Sequence, residues 1–505
     1  MRLHGRAMSP YRLYLILSSG TAFLSGISFA TVTVYWVTVG RLNPLELLLL
    51  GTALELSYFV FQLPTGVLAD LVSRRICVLT GLFIVGVAQV MASLSASYAN
   101  LISAWAVLGF GAALNNGAED AWIADELSAE LGDHRMTGVY LRATQLGLLG
   151  TVVGSLLSGL VALAGLALPL RVGGTLTCLL AAGAALVMPE RHFRRPAAPA
   201  GPGRIARQSA RQLVAQTRLA HRAIVAVPGL VLLFGMTLCT GLWSESFDRL
   251  WGAFLLRDIT FPRVAWMHPA MWFSVLAAAA AILGLGATQL AKRRTERLGP
   301  DSVVSALLVL TVAIGAAVVG MASAHAFAVV VAGFLVVSVL RPVLYPLVSG
   351  WMVSRIESSV RATALSARDM FDSAGQIVGG PVIGVIGTLA SIRIALLVGA
   401  AALGPAAGCI AAASRRIRPP RPLPPDSPSR RASPAADAEP LSPVRAAVYG
   451  GDDDRCEDHR EDETQQQRVA VVQPDRVARD QSAQERTGQP DEGRPDEADR
   501  VRAGD

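Results

Sequence analysis

Little in this chain belongs to a soluble enzyme. Its five cysteines, Cys77, Cys178, Cys239, Cys409 and Cys456, are scattered without paired ligand spacing, which argues against a disulfide framework and a zinc site. No Gly-rich loop ends in Lys-Ser/Thr, so an intrinsic ATP motor is not expected. No nucleophile, base or metal-ligand constellation stands out, and neither enzymatic activity, cofactor nor metal is expected. Charged residues are only 16% of the chain against 52% hydrophobic, and they are clumped instead of interspersed, unlike the surface of a soluble globule. The ten-residue apolar/polar alternation of transmembrane barrel strands is also missing. Helix in lipid is the remaining reading.

Residues 12 to 413 break into apolar runs of about 20 residues, the length that crosses a ~30 Å hydrocarbon core as helix. The spans read as 12–38, 44–69, 76–98, 101–124, 137–163, 168–188, 226–254, 269–291, 302–322, 326–351, 364–388 and 391–413. An all-α membrane protein of twelve transmembrane helices is therefore expected. Of the 29 lysines and arginines before residue 414, 22 fall in the N-terminus, the even-to-odd loops and the central linker, among them Arg74, Arg75, Arg135, Arg142, Arg355 and Arg368. The positive-inside rule then places both termini in the cytoplasm. The first apolar run is too long for a cleavable signal core and lacks a small-residue cleavage site, so it reads as the first span.

The spans divide six and six around a basic linker. Residues 1–188 form one half, 189–225 the linker with eight arginines from Arg191 to Arg222, and 226–413 the other half. Residues 414–505 are rich in Pro, Arg, Asp, Glu and Gln without a long apolar run, the composition of a disordered cytoplasmic tail. The tail carries a net charge of −4 and the rest +11, so the basic pI reflects membrane-flanking arginines and not nucleic-acid binding. A shift of 226 residues aligns Arg135 with Arg361, Thr137 with Thr363, Arg142 with Arg368, Val152 with Val378 and Gly154 with Gly380. Such a repeat is what parallel six-helix halves require.

Between the second and third spans the chain reads Gly66-Val67-Leu68-Ala69-Asp70-Leu71-Val72-Ser73-Arg74-Arg75. This resembles the signature loop of the major facilitator superfamily, Gly-x-x-x-Asp-[Arg/Lys]-x-Gly-[Arg/Lys]-[Arg/Lys], with Leu71 at the family's first basic position and Ser73 at its second glycine. The fourth span, Leu101 to Ala113, keeps the family's glycine register at Gly109 and Gly111, but Trp105 and Leu108 stand where the family has arginine and glutamine. In the fifth span Gly150-Thr151-Val152-Val153-Gly154-Ser155 is a degraded form of the antiporter pattern; the eleventh retains Gly380-Pro381-Val382-Ile383-Gly384. Gly150, Gly154, Gly380 and Gly384 would let helices approach closely and Pro381 would bend its helix, either for a rocking bundle or as ordinary membrane packing. The resemblance covers residues 12–413 and implies the two-half facilitator fold, and the chain resembles drug-efflux members such as the bacterial tetracycline and macrolide exporters. It also implies that Asp125, at the cytoplasmic end of the fourth span, faces Asp70, Arg74 and Arg75 in a charge cluster that latches the halves; the alternative is a set of interfacial charges serving topology alone.

Ionisable residues deep in spans point to chemistry, because hydrocarbon tolerates them only beside a cavity or a partner. Glu55 lies near the middle of the second span, where a carboxyl can exchange a proton and couple it to substrate, or can be a structural hydrogen-bonded group. Tyr58 is placed to stack on a substrate. Asn115 and Glu119 follow on the fourth span, with Glu119 preferred over Asp120 as cavity-facing. Glu245 belongs with Trp243 on the pathway of the seventh span, while Asp248 and Arg249 neutralise local charge. Arg341 needs a buried anionic partner, for which Asp372 is available, or it meets an anionic substrate; Gln376 completes the set. Tyr35 and Trp36 read as interfacial anchors.

The expected function is a monomeric secondary transporter in the bacterial cell membrane, exporting small amphipathic compounds or drugs by proton antiport through alternating access. The alternatives are a permease for a small, anionic metabolite and a transport-dead membrane sensor, the latter prompted by the missing arginine at Trp105 and the long tail.

Overall fold

The computed structural model describes residues 8–128, 133–193, 230–264, 267–295, 300–353 and 361–416, which all fall in one compact unit, Met1–Pro422. Most of the linker and nearly all of the tail lie outside the described residues. Those described form helices and no strand. In chain order they are α1 Pro10–Phe29, α2 Pro44–Leu71, α3 Arg74–Leu94, α4 Tyr98–Asn115, α5 Ala118–Ser128, α6 Asp133–Ala164 and α7 Leu168–Val187. After the linker come α8 Leu230–Asp258, α9 Pro269–Thr295, α10 Pro300–Ser323, α11 Phe327–Val353, α12 Arg361–Leu389, α13 Ile392–Ala401 and α14 Leu403–Arg416.

Ten helical stretches among the described residues are long and apolar enough to cross a bilayer. The two 29-residue helices that fall outside this set, α8 and α12, hold Glu245, Asp248, Arg249, Arg368 and Asp372 within their length. Charge, not length, sets them apart. That is the expected mark of helices facing a polar interior.

Local chemistry explains where the helices start and break. Asn43 and Glu46 form a reciprocal capping box at the head of α2, with Pro44 in the first turn. Ser73, Ser97 and Ser391 accept the N3 amides of α3, α4 and α13. Two expectations are corrected here. The Gly66–Arg75 stretch is almost entirely helical, because α2 continues to Leu71 and the Ser73 cap starts α3 one residue later. The fourth span is not continuous: Gly117 adopts φ +72° between α4 and α5, a left-handed turn that breaks the helix beside Asn115 and Asn116. The first span keeps its expected extent, Pro10–Val39, but is irregular, passing from α1 through a short turn into a π-helical stretch, Tyr35–Val39.

In residues 8–193, α1 packs on α6 and α7, and α4 on α2 and α3. In residues 230–416, α8 packs on α12 and α14, and α11 on α9 and α10. The two sets meet where α2 lies on α12 and α6 on α9. Glycines set these approaches. A Cβ on Gly150 or Gly154 would collide with backbone of Ser19 or Phe23 in α1, and one on Gly375 or Gly379 would strike Leu238 or Leu242 in α8. Gly159 faces Ser274 of α9, and Gly384 faces Leu45 of α2. Gly150, Gly154 and Gly159 therefore correspond to Gly375, Gly379 and Gly384, a shift of 225, one less than the identity alignment gives. Under it Gly380 is not the counterpart of Gly154 but turns to the Thr52 hydroxyl of α2. The side chains of Arg135, Thr137 and Thr363 lie outside those described.

Candidate functional site

The junction of the two helix sets is built around an ion pair seated on a glycine. Arg249 Nε donates to Glu245 Oε1 at 3.1 Å, one turn apart on α8, with the Glu245 side chain 1% exposed. A side chain at Gly51 on α2 would collide with both groups. Bare backbone there is what lets a charged pair, shielded from water, sit flat against the facing helix. One turn along α2, Glu55 Oε2 accepts from Ser373 Oγ of α12 at 3.3 Å. Closer to the head of α2, the Leu45 amide donates to Thr388 Oγ1 at 3.1 Å. Gly252 meets Thr33, and Gly159 meets Ser274, on the same side of the bundle.

Beside this junction lies a cavity of about 510 Å³ walled by aromatics, Phe29, Trp36 and Trp105 from the first set and Trp251 and Phe273 from the second, with Asp248 and Arg249 among its polar groups. Trp36 and Trp105 meet edge to face at 4.8 Å between centroids. This corrects the anchor reading of Tyr35 and Trp36, which are 3% and 2% exposed inside the core. The π-helical stretch turns both rings inward, and the Tyr35 hydroxyl donates to the Ala92 carbonyl. Trp105, at the position where the family resemblance leads one to look for arginine, supplies a wall and no charge.

A second cavity of about 420 Å³ shares Asp248 and Trp251 with the first and adds Phe334 and Arg341. Arg341 Nη1 donates to Asp248 Oδ1 at 2.6 Å, and both side chains are over a third exposed. Asp248 is thus the ion-pair partner of Arg341, correcting the expectation for Asp372, whose Oδ2 accepts from Gln376 at 2.9 Å. The reason is reach: Asp372 and Gln376 are one turn apart on α12 and pair locally. Arg341 and Asp372 still line a common third pocket of about 130 Å³ with Tyr345, Trp243 and Arg368. Arg368 is 4% exposed, stacks 3.7 Å over the Tyr345 ring, and donates to Ser349 Oγ at 2.6 Å and Asp369 Oδ1 at 2.8 Å.

Glu55, Glu245, Arg341, Asp372 and Gln376 are therefore gathered on α2, α8, α11 and α12. Asn115 and Glu119 are elsewhere, at the α4–α5 break, where Asn115 Oδ1 and Glu119 Oε1 are buried without a hydrogen-bond partner among the described residues. Next to them the Tyr14 hydroxyl donates to Asp120 Oδ1 at 3.0 Å. Two residues that sequence reasoning passed over complete the centre. Gly51 carries no chemical signal and is recognised only from what packs on it, although its spacing of four from Glu55 put both on one helix face. Arg368 read as a loop charge for topology, yet the Arg368-Asp369 doublet continues a helix and turns the guanidinium inward.

At the other end of α2, Arg74 pairs with Asp125 and lies 3.6 Å from Asp70 Oδ1. Arg75 goes elsewhere, donating to the Ala185 carbonyl at 2.6 Å, while its backbone amide donates to Glu190 Oε1 at 3.1 Å. Gly66 lies within α2 with open space where a Cβ would sit. The cluster ties α2, α3 and α5 to one another and to the end of α7, so these partners of Asp70, Arg74, Arg75 and Asp125 all lie within residues 8–193, where the expectation had them joining the two halves. Glu126, 2% exposed, accepts from the amides of Arg191 and His192, and the Trp122 indole donates to the Pro189 carbonyl. The start of the linker is held against the same corner.

Comparison with known proteins agrees with this architecture. No curated protein sequence matches the chain. The nucleoside transporter NupG shares 16% identity, with a TM-score of 0.63 over 81% of this chain and 100% of that one. A peptide transporter POT solved in complex with sulfate shares 15% identity, with a TM-score of 0.62 over 83% and 96%. A bacterial homologue of the human lysosomal transporter Spinster, inward-facing and unoccupied, shares 16%, with a TM-score of 0.62 over 81% and 98%. At such identities the likeness is one of fold. The Major Facilitator Superfamily profile matches residues 16–295, more than half of the chain, and the chain belongs to that family of multi-pass membrane transporters.

Proposed function

We propose that this protein is a secondary transporter that moves small amphipathic compounds outward by proton antiport through alternating access. Twelve spans in two halves, residues 1–188 and 226–413, joined by the cytoplasmic linker 189–225, carry that reading, with α4–α5 and α13–α14 each counted as one span. The observation that supports it most is the aromatic cavity of about 510 Å³, walled by residues of both halves and bordered by an ion pair at their junction. Such a cavity between two halves is what binding near the midplane needs. With both termini in the cytoplasm of a bacterial cell, the contacts at Leu45, Gly51 and Gly159 fall on the outer side in this reading.

In this scheme a proton arriving from outside is taken by Glu55, which faces the junction, or by Glu119, whose orphaned carboxyl oxygen is buried. Asp70, Arg74 and Asp125 keep the cytoplasmic corner of the first half rigid, so that it turns as a body; Gly66 and Arg75 belong to the same corner. Asp70→Asn is expected to slow transport with expression unchanged, and unaltered transport would remove this role. The test of function is a compound panel in an efflux-deficient host with and without a protonophore. Export that collapses with the protonophore, and that fails in Glu55→Gln with Glu119→Gln, is the expected outcome; protonophore-insensitive export in everted vesicles would exclude proton antiport.

A second reading, a permease for an organic anion, draws on Arg341 and Arg368 lining one pocket. It shares the fold and the cavity and differs in what is carried.

A further inference from the structure

We infer that the small pocket between α8, α11 and α12 holds the primary ammonium head of an amphipathic amine; this rests on the transport reading above and names the substrate class for it. The pocket, about 130 Å³, has Asp372 on its wall together with Thr237, Thr240, Ser244, Arg341 and Arg368. Its charge balance is negative. Arg341 is paired with Asp248 at 2.6 Å and Arg368 with Asp369 at 2.8 Å, so each guanidinium is half of an ion pair and brings no net charge. The neighbouring Glu245 and Arg249 cancel in the same way. Asp372 has no such partner among the described residues: its Oδ2 accepts from the neutral Gln376 Nε2 at 2.9 Å, and no ion pair reaches it. One carboxylate is left over, and a carboxylate kept from bulk water calls for a cation.

Hydrogen bonding narrows the class of cation. Thr237 Oγ1 donates to the Leu233 carbonyl, Thr240 Oγ1 to the Thr237 carbonyl and Ser244 Oγ to the Gly241 carbonyl, each at 2.9 Å. A hydroxyl owns one proton and two lone pairs, so with the proton given to its own helix each of the three can only accept from a ligand. The second oxygen of Asp372 is an acceptor as well. A primary ammonium, with three donors and no acceptor, matches such a lining, whereas a quaternary ammonium carries the charge without a donor. The rest of the molecule has a place to go. Arg341 and Tyr345 are shared with the adjoining cavity of about 420 Å³, whose wall continues through Phe247, Trp251 and Phe334. Trp251 and Phe334 are stacked at 4.0 Å between centroids, a flat apolar face for an aryl body.

The test uses the full chain in lipid nanodiscs at pH 7 and four probes of one ring system: naphthylmethylamine, protonated at that pH, its trimethylammonium derivative, naphthylmethanol and naphthoate. Calorimetric titration is expected to find the amine bound about tenfold more tightly than the alcohol, as charge-assisted hydrogen bonds give, and more tightly than the trimethylated cation. Asp372→Asn, which keeps the shape and removes the charge, should erase most of the preference for amine over alcohol. Thr240→Val removes an acceptor without touching charge, so it should narrow the gap between the amine and the trimethylated cation, and it keeps the test decisive if Asp372→Asn does not fold. Equal affinity for amine and alcohol, a trimethylated cation bound as tightly as the amine, tightest binding of naphthoate, or either preference surviving its variant would overturn the assignment. Flux into proteoliposomes separates the two claims. Amine binding without movement of any probe would defeat the transport reading and leave the pocket, whereas flux without an amine preference would defeat the pocket and leave transport.

Discussion

A single ion pair rests on a single glycine where the two helix sets meet. Glu245 is shielded almost completely, and its partner Arg249 is largely so. A buried pair contributes little beyond what an apolar pair would, but removing one member leaves the other charge without compensation. Glu245→Gln is therefore expected to destabilise the protein by about 3 kcal/mol, seen as a lower melting temperature of the purified protein. The double variant Glu245→Gln with Arg249→Met should recover most of that loss. A double variant no more stable than the single one would show that the pair is not the unit that matters. The spacing of four between Glu245 and Arg249 was legible in the sequence, as was the oddity of charge in an apolar run. Its seat at Gly51 was not, because a contact between residues nearly two hundred apart leaves no trace in local pattern, and Arg341 lost its expected partner for the same reason.

Helices follow the apolar runs closely, since lipid demands that each backbone be satisfied within its own segment. Departures occur where a short polar stretch overrides hydrophobic length. Asn115-Asn116-Gly117 is a turn signal inside a long apolar run, and the left-handed Gly117 makes it a break. Gly117→Ala should cost about 1 kcal/mol in stability, readable as a lower melting temperature, and no change would mean that the junction relaxes freely. The repeat shows the opposite effect. Identities suggested a shift of 226, but what the packing repeats is glycine against helix, at 225. Gly150→Val and Gly375→Val should therefore reduce the yield of folded protein to a similar degree, each by pushing apart one of two equivalent helix pairs. Gly183→Val, where a side chain meets open space, is the control expected to express normally, as judged by gel filtration.

At the scale of the molecule the question is whether the contact between the helix sets opens during transport. Membrane-length helices were readable from the apolar runs, because their length is set by the bilayer and not by long-range packing, and ten such stretches stand among the described residues. How the two sets meet depends on α2 against α12 and α6 against α9, pairings that no local pattern encodes. Leu45 and Thr388 are joined by a hydrogen bond where the head of α2 meets the end of α12, so cysteines at both positions lie close enough to be bridged after the native cysteines are replaced. In an alternating-access carrier this end must separate to release substrate, and a covalent tie across it forbids the second state while leaving the first intact. The Leu45→Cys, Thr388→Cys protein is therefore expected to crosslink readily, to bind its substrate from the cavity side, and to lose flux until a reductant is added. The uncrosslinked double variant should transport normally, which separates the tie from the substitutions. Full flux in the crosslinked protein would mean that α2 and α12 stay together throughout the cycle, and the exit would then have to be sought along α6 and α9.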